Sequence, residues 1–279
     1  MHHIGKTRIP AIGFGTYPLQ GSEAQQAVEM AIGLGYRHID TAQMYGNEKA
    51  VGQALRSCGL ALDEVMVTTK VDPSNMDPER FLPSVERSLE DLGIDSVDYL
   101  LLHWPSRERA LGQTLELLAE ARSRGYSQHI GVSNFTCAQL REAGRLLPGE
   151  IATNQVEFHP LIDQRPLQRL CREQGVILSA YCALARGAFM EDRTLQSIAR
   201  VYGKSVAQVA LRWIIQQGVA AIAMSTRLEN ARGNLDVFDF ELSDDEMKAI
   251  GALRQAHRRL VSPAQWAPEW DGPAEGDKE

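Results

Sequence analysis

The chain has 279 residues, 44% of them hydrophobic, so it can bury a large core, either as two modest domains or as one large α/β barrel. A formal charge of −7 and a pI near 5.6 argue against general affinity for nucleic acid, and the longest apolar run, Val219 to Met224, falls far short of the roughly 18 residues of a membrane span. The opening "MHHIGKTRIPAIGFG" lacks the apolar core of a signal peptide, and Cys58, Cys137, Cys171 and Cys182 form no CxxC pair, which predicts a reduced, cytoplasmic protein without a zinc site or disulfide framework.

In chain order, the first apolar run is "AIGFGT". Its GxG reads as a turn and not as a dinucleotide fingerprint, because Pro18 follows and no third glycine opens a helix. The helical pattern "SEAQQAVEMAIGLG" leads to "YRHID" and then "VMVTTK". After the helical "PERFLPSVERSLEDLG" come "VDYLLLHW", "HIGVSNF" and "ATNQVEF", and after "RPLQRLCREQG" come "VILSAY" and "VAAIAM". Several of the helical segments end at a glycine suited to a helix C-terminus. Eight apolar runs alternating with amphipathic segments predict parallel strands joined by crossover helices. The leading fold is therefore a (β/α)8 TIM barrel, with an open doubly wound sheet as the alternative. Residues 1–270 form one domain on this reading, and "DGPAEGDKE" (271–279) forms a polar tail.

In such a barrel the chemistry sits at the C-terminal ends of the strands. Those ends carry Asp40, Lys70, His103, Ser133 with Asn134, Gln155, Tyr181 and Ser225. Taken singly, Asp40 reads as a cap, Lys70 as a surface charge and His103 as a core histidine; their gathering at equivalent positions is what points to a site. Tyr45, in the loop after Asp40, is a poor acid at its ordinary pKa of about 10, and an ammonium such as Lys70 favours its phenolate. Asp40 would hold Lys70 charged, and His103 would orient a substrate oxygen. The sequence offers no GxSxG elbow and no cysteine–histidine pair, so the attacking species is expected from a cofactor. Two alternatives stand beside this: a metal-dependent hydrolase using His38 and Asp40, and a non-catalytic nucleotide-binding regulatory subunit.

The motifs "GFGTY", "YRHIDTAQMYGNEKAVG", "VTTK", "VDYLLLHWP", "IGVSNF", "NQVEFHP" and "NLDVFDFELS", in this order, resemble the aldo-keto reductases over residues 5 to 270. The resemblance implies a barrel with a short N-terminal β-hairpin and a C-terminal loop, extended NADPH, and hydride transfer to an aldehyde or ketone. It assigns Tyr45 as general acid, Lys70 and Asp40 as its tuning partners, and His103 as the orienting histidine. It also assigns Ser133, Asn134 and Gln155 to the nicotinamide carboxamide, Tyr181 to stacking on the ring, and Ser225, Thr226, Arg227 and Asn234 to the rest of the cofactor. Tyr17 and Trp104, with His103, are the implied substrate contacts, and Trp266 and Trp270 the implied covering loop. Met224, Asn230 and Gly233 depart from the family's phosphate-loop pattern, which admits NADH beside NADPH. Thr226 to Glu229 reads as a capping box that puts Arg227 in the first turn of a helix, a cation that a bound phosphate would relieve. The segments "YCALARG" and "RRLVSPAQWAPEWD" are most similar to bacterial 2,5-diketo-D-gluconic acid reductases of the B type, which implies that diketo acid or methylglyoxal as substrate. A monomer acting on small carbonyls, with neither nucleic acid nor membrane as partner, is expected.

Overall fold

Each of the eight apolar runs carries one strand of a closed barrel. The computed structural model describes residues 3–4 and 8–273, and most of the predicted polar tail (274–279) lies outside the described residues. A two-residue hairpin, β1 (His3–Ile4) against β2 (Ile9–Pro10), precedes the barrel. The barrel strands are β3 (Ile12–Gly15), β4 (His38–Asp40), β5 (Met66–Val71), β6 (Val97–Leu102), β7 (Ser127–Ser133), β8 (Ile151–Glu157), β9 (Ile177–Tyr181) and β10 (Ala220–Ala223). They pair in sequence order, all parallel, and β10 closes on β3. Together with the helices outside, this is a (β/α)8 TIM barrel.

The helices are α1 (Gly21–Leu34), α2 (Glu48–Ser57), α3 (Phe81–Leu92), α4 (Leu111–Ser123), α5 (Cys137–Leu146), α6 (Arg165–Gln174), α7 (Arg193–Tyr202), α8 (Val206–Gln216), α9 (Leu228–Leu235) and α10 (Asp244–Ala252). In α3 the buried residues Phe81, Leu82, Val85, Leu89 and Leu92 recur at helical spacing and form one apolar face toward the sheet. Gly93 ends that helix at φ 69°, a left-handed turn that a side chain resists.

Along β5 the period of two separates two environments. Val67 and Val71 join the large core beneath the helices, whereas Lys70 meets Asp40 and Thr68 meets His38 across the strands. At the far end of the barrel, Ile9 packs with Tyr99, Leu101, Ile177 and Ala220, so the N-terminal hairpin plugs that mouth with apolar side chains. The GxG predicted as a turn is instead part of β3. A Cβ on Gly13 would lie 2.5 Å from His38 Nδ1, so the glycine is there to let a buried ring fit beside the strand.

Candidate active site

The end of β4 delivers Asp40 and the end of β5 delivers Lys70, both buried. Lys70 Nζ donates to Asp40 Oδ1 at 2.6 Å and to the Thr41 carbonyl at 2.8 Å, and Gln155 Nε2 donates to Asp40 Oδ2 at 2.7 Å. Both carboxylate oxygens are therefore satisfied, the condition under which a buried ion pair is tolerable. Burial pulls the Lys70 ammonium below its ordinary range, and the charge and hydrogen bond of Asp40 oppose that shift.

Tyr45 sits on one turn of 3₁₀ helix, Gln43–Tyr45, closed by Gly46 at φ 64°. Three polar side chains fix this loop. Gln20 Nε2 donates to the Tyr45 carbonyl at 2.6 Å, and the Gln43 amide bridges Ser84 and Ser88 on α3 to the Asp72 N–H and Asn75. Asn47, almost fully buried, accepts from the Thr41 hydroxyl and donates to the carbonyls of Thr16 and Leu19. The Tyr45 ring centroid lies 5.2 Å from Lys70 Nζ, 5.4 Å from the His103 ring and 5.1 Å from Tyr17. Its hydroxyl has no partner among the described residues.

The electrostatics differ from the acidified phenol expected of a neighbouring ammonium. Burial, and after it the negative charge of Asp40, push the Tyr45 phenol well above its ordinary value, so the proton stays on the ring oxygen at neutral pH. Burial and the Lys70 charge hold His103 well below the usual imidazole range, so it is neutral. Among the described residues neither ring nitrogen of His103 has a partner; Nδ1 is sealed, whereas Nε2 keeps access.

A second group adjoins the first. Ser133 Oγ donates to the Gln155 carbonyl at 2.7 Å, and Asn134 Nδ2 donates to the His103 carbonyl at 3.0 Å. The Tyr181 hydroxyl donates to Asn134 Oδ1 at 2.7 Å. Asn134 holds φ 65°, a left-handed conformation that asparagine tolerates better than most residues. The Gln155 side-chain oxygen has no partner among the described residues, so a free amide acceptor stands on β8, the strand paired with the one that ends in the half-buried Tyr181. An acceptor for a carboxamide beside an aromatic face fits a nicotinamide.

The loop after β10 differs from expectation. The predicted capping box is absent: α9 starts at Leu228, and its N-cap is Arg227, without a side-chain cap. Ser225 Oγ accepts from the Arg227 N–H at 3.1 Å, a local turn that pre-empts Thr226 as the cap. Arg227 is exposed at the N-cap and has no acidic partner among the described residues. Asn234 is buried against Tyr36, while Ser225, Thr226 and Arg227 remain accessible. On the substrate side, Tyr17 is exposed at the rim, Trp104 is buried, and Trp270 reaches Trp104 at 6.1 Å. Among the described residues no three His, Cys, Asp or Glu side chains gather as a metal set, and His38 Nε2 is bonded to Thr68 Oγ1 at 2.9 Å.

Sequence reading missed Gln43 and Asn47, whose only signal was their place on either side of Tyr45. It also missed the direct bond from Gln155 to Asp40, because the two are separated by 115 positions.

The aldo/keto reductase family profile matches residues 11–255. The chain is 38% identical over 266 residues to the methylglyoxal reductase DkgB of Escherichia coli O157:H7, covering 94% of this chain and 99% of that one. It superposes with a TM-score of 0.95, at 41% identity and 98% coverage of both chains, on a crystal structure described only provisionally as a 2,5-diketo-D-gluconic acid reductase B. A Bombyx mori aldo-keto reductase solved in complex with NADP gives a TM-score of 0.87 at 31% identity, covering 94% of each chain.

Proposed function

Because the chain belongs to the aldo/keto reductase family and is an oxidoreductase that takes a nicotinamide cofactor, we propose that it reduces 2,5-diketo-D-gluconate or small reactive carbonyls such as methylglyoxal, with NADPH preferred over NADH. The observation that carries this reading is the sealed Asp40–Lys70 pair lying under a protonated Tyr45 beside a neutral His103.

When bound, the cofactor supplies a hydride to the carbonyl carbon. His103 Nε2 and the Tyr45 hydroxyl hold the carbonyl oxygen, and Tyr45 transfers its proton there as negative charge develops. The phenolate left behind is stabilised by Lys70, whose own charge is kept by Asp40. Gln155, Asn134 and Ser133 would hold the carboxamide, and Tyr181 the face of the ring, so that one geometry is presented. Arg227 and Ser225, with the N-terminus of α9, would receive the 2′-phosphate. The substrate is a small molecule met by a monomer. The free cysteines and the bacterial relatives support a cytoplasmic setting, and no helix among the described residues is long and apolar enough to cross a membrane.

The test is a carbonyl panel with NADPH, including methylglyoxal and 2,5-diketo-D-gluconate, on wild type and Tyr45→Phe. Turnover is expected to fall by about 10²- to 10⁴-fold with cofactor binding retained, within the range for loss of a general acid. A Tyr45→Phe protein that keeps its turnover would remove Tyr45 as proton donor.

A further inference from the structure

The C-terminal arm, residues 257–271, crosses the strand ends, and its acidic anchors are already occupied. Glu157, fully buried at the end of β8, is bonded to His159 Nε2 at 2.8 Å and accepts the N–H groups of Leu260 at 2.7 Å and Val261 at 2.8 Å. Asp271 Oδ2 accepts the Cys137 N–H at 2.7 Å in the first turn of α5. Arg107 binds the carbonyls of Ala264 and Ala267.

Immediately before the Leu260–Val261 anchor stands Arg259. Its guanidinium carbon is 3.7 Å from the Trp270 ring centroid, and Trp270 in turn meets Trp104, the residue after His103. Arg259 also acts electrostatically on Tyr181, which pairs with Glu157 in the barrel register. The ring contact holds the guanidinium in place, yet none of its N–H groups has an acceptor among the described residues. Nη1 is sealed from solvent, whereas Nε and Nη2 keep access. Glu157 and Asp271 are the nearby carboxylates; backbone N–H groups engage both oxygens of Glu157 and one of Asp271. Both act on the half-buried guanidinium through charge, yet neither takes its N–H groups, so the fork keeps donors whose hydrogen bonds an incoming carboxylate would supply.

We propose that Arg259 is a specificity-determining residue that selects carbonyl substrates bearing a carboxylate over neutral ones. This rests on the carbonyl-reductase reading above. The planar fork matches a carboxylate through two parallel N–H donors, and Trp270 holds it in place for that contact. A neutral dicarbonyl has no group to place there.

The experiment compares kcat/KM for 2,5-diketo-D-gluconate and for methylglyoxal in wild type, Arg259→Met and Arg259→Lys. The ratio of the two is expected to fall by about tenfold to a hundredfold in Arg259→Met, through KM for the acid, since a hydrogen bond to a charged group is lost. Arg259→Lys recovers part of it. An equal fall for both carbonyls, or none, overturns the proposal. In parallel, binding of D-gluconate to the NADP-loaded protein is measured by calorimetry. If wild type reduces neither carbonyl but gluconate binds and Arg259→Met abolishes that binding, the anion site stands and the reductase reading fails. If wild type does not bind gluconate, or its binding is indifferent to the substitution, the site itself is refuted.

Discussion

Lys70 and Arg259 are both cations withdrawn from water at the same end of the barrel, and among the described residues only Lys70 is hydrogen-bonded to a carboxylate. Lys70 is enclosed by Asp40 and the Thr41 carbonyl, with Gln155 completing the carboxylate. Arg259 lies over the Trp270 ring with its donors unfilled among the described residues. A charge whose partner is supplied by the fold cannot change partners during turnover, so it can only bias its neighbours, here Tyr45 and His103. A charge whose hydrogen-bond donors are left unfilled is suited to meet a group that arrives. On the proposed reading, the sealed half of the site would serve chemistry that every substrate shares, and the half with unfilled donors would serve choice among substrates and cofactors.

The strongest way to break this contrast is Lys70→Met. It strands a buried carboxylate, so we expect a loss of about 3–5 kcal/mol in urea unfolding together with loss of activity. The double variant Lys70→Met/Asp40→Asn should recover much of the stability and none of the activity. A single variant within 1 kcal/mol of wild type would mean that the pair is not truly sealed.

A smaller effect follows from the buried histidine beneath this pair. Burial holds the folded His38 at about 4 against an ordinary 6.5, so the unfolded chain takes up the proton first. Its contribution is fully present above about pH 6.5 and is lost as pH falls toward 4, at up to about 1.4 kcal/mol per pH unit. His103 adds in the same direction. Unfolding measured between these limits should show the slope, and His38→Gln should flatten it; an unchanged slope would argue against a neutral His38. Arg259, permanently charged, contributes no slope there.

The smallest expected change lies in the exposed loop. Arg227→Ala should lower the NADPH-to-NADH ratio of kcat/KM by about threefold to tenfold, as an exposed charge–phosphate contact is worth little. Initial rates at subsaturating cofactor decide it, and an unaltered ratio would leave Arg227 as a solvated side chain.

Much of the fold and site was legible because the relevant signals are local. The alternation Val67, Thr68, Thr69, Lys70, Val71 already sorts side chains between barrel interior and helical layer, and the apolar runs end where polar residues begin. The capping of α9 was misread because Thr226 is a competent cap by residue type, whereas the turn closed on Ser225 moves the helix start so that Arg227 stands at the N-cap. The acidity of Tyr45 was misjudged for a different reason. Proximity to Lys70 could be inferred along the chain, but the depth of burial, which outweighs it, could not.

The sequence by itself determined the eight-strand barrel, the identity of the residues at its C-terminal rim and the chemical class they serve, since periodicity and motif order are properties of the chain. The tertiary structure alone decided which charges are paired. Gln155 reaches Asp40 across 115 positions, and Glu157 and Asp271 bind backbone N–H groups. Among the described residues Arg259 is left without an acceptor because hydrogen bonds are allotted by distance in space, which no local pattern records.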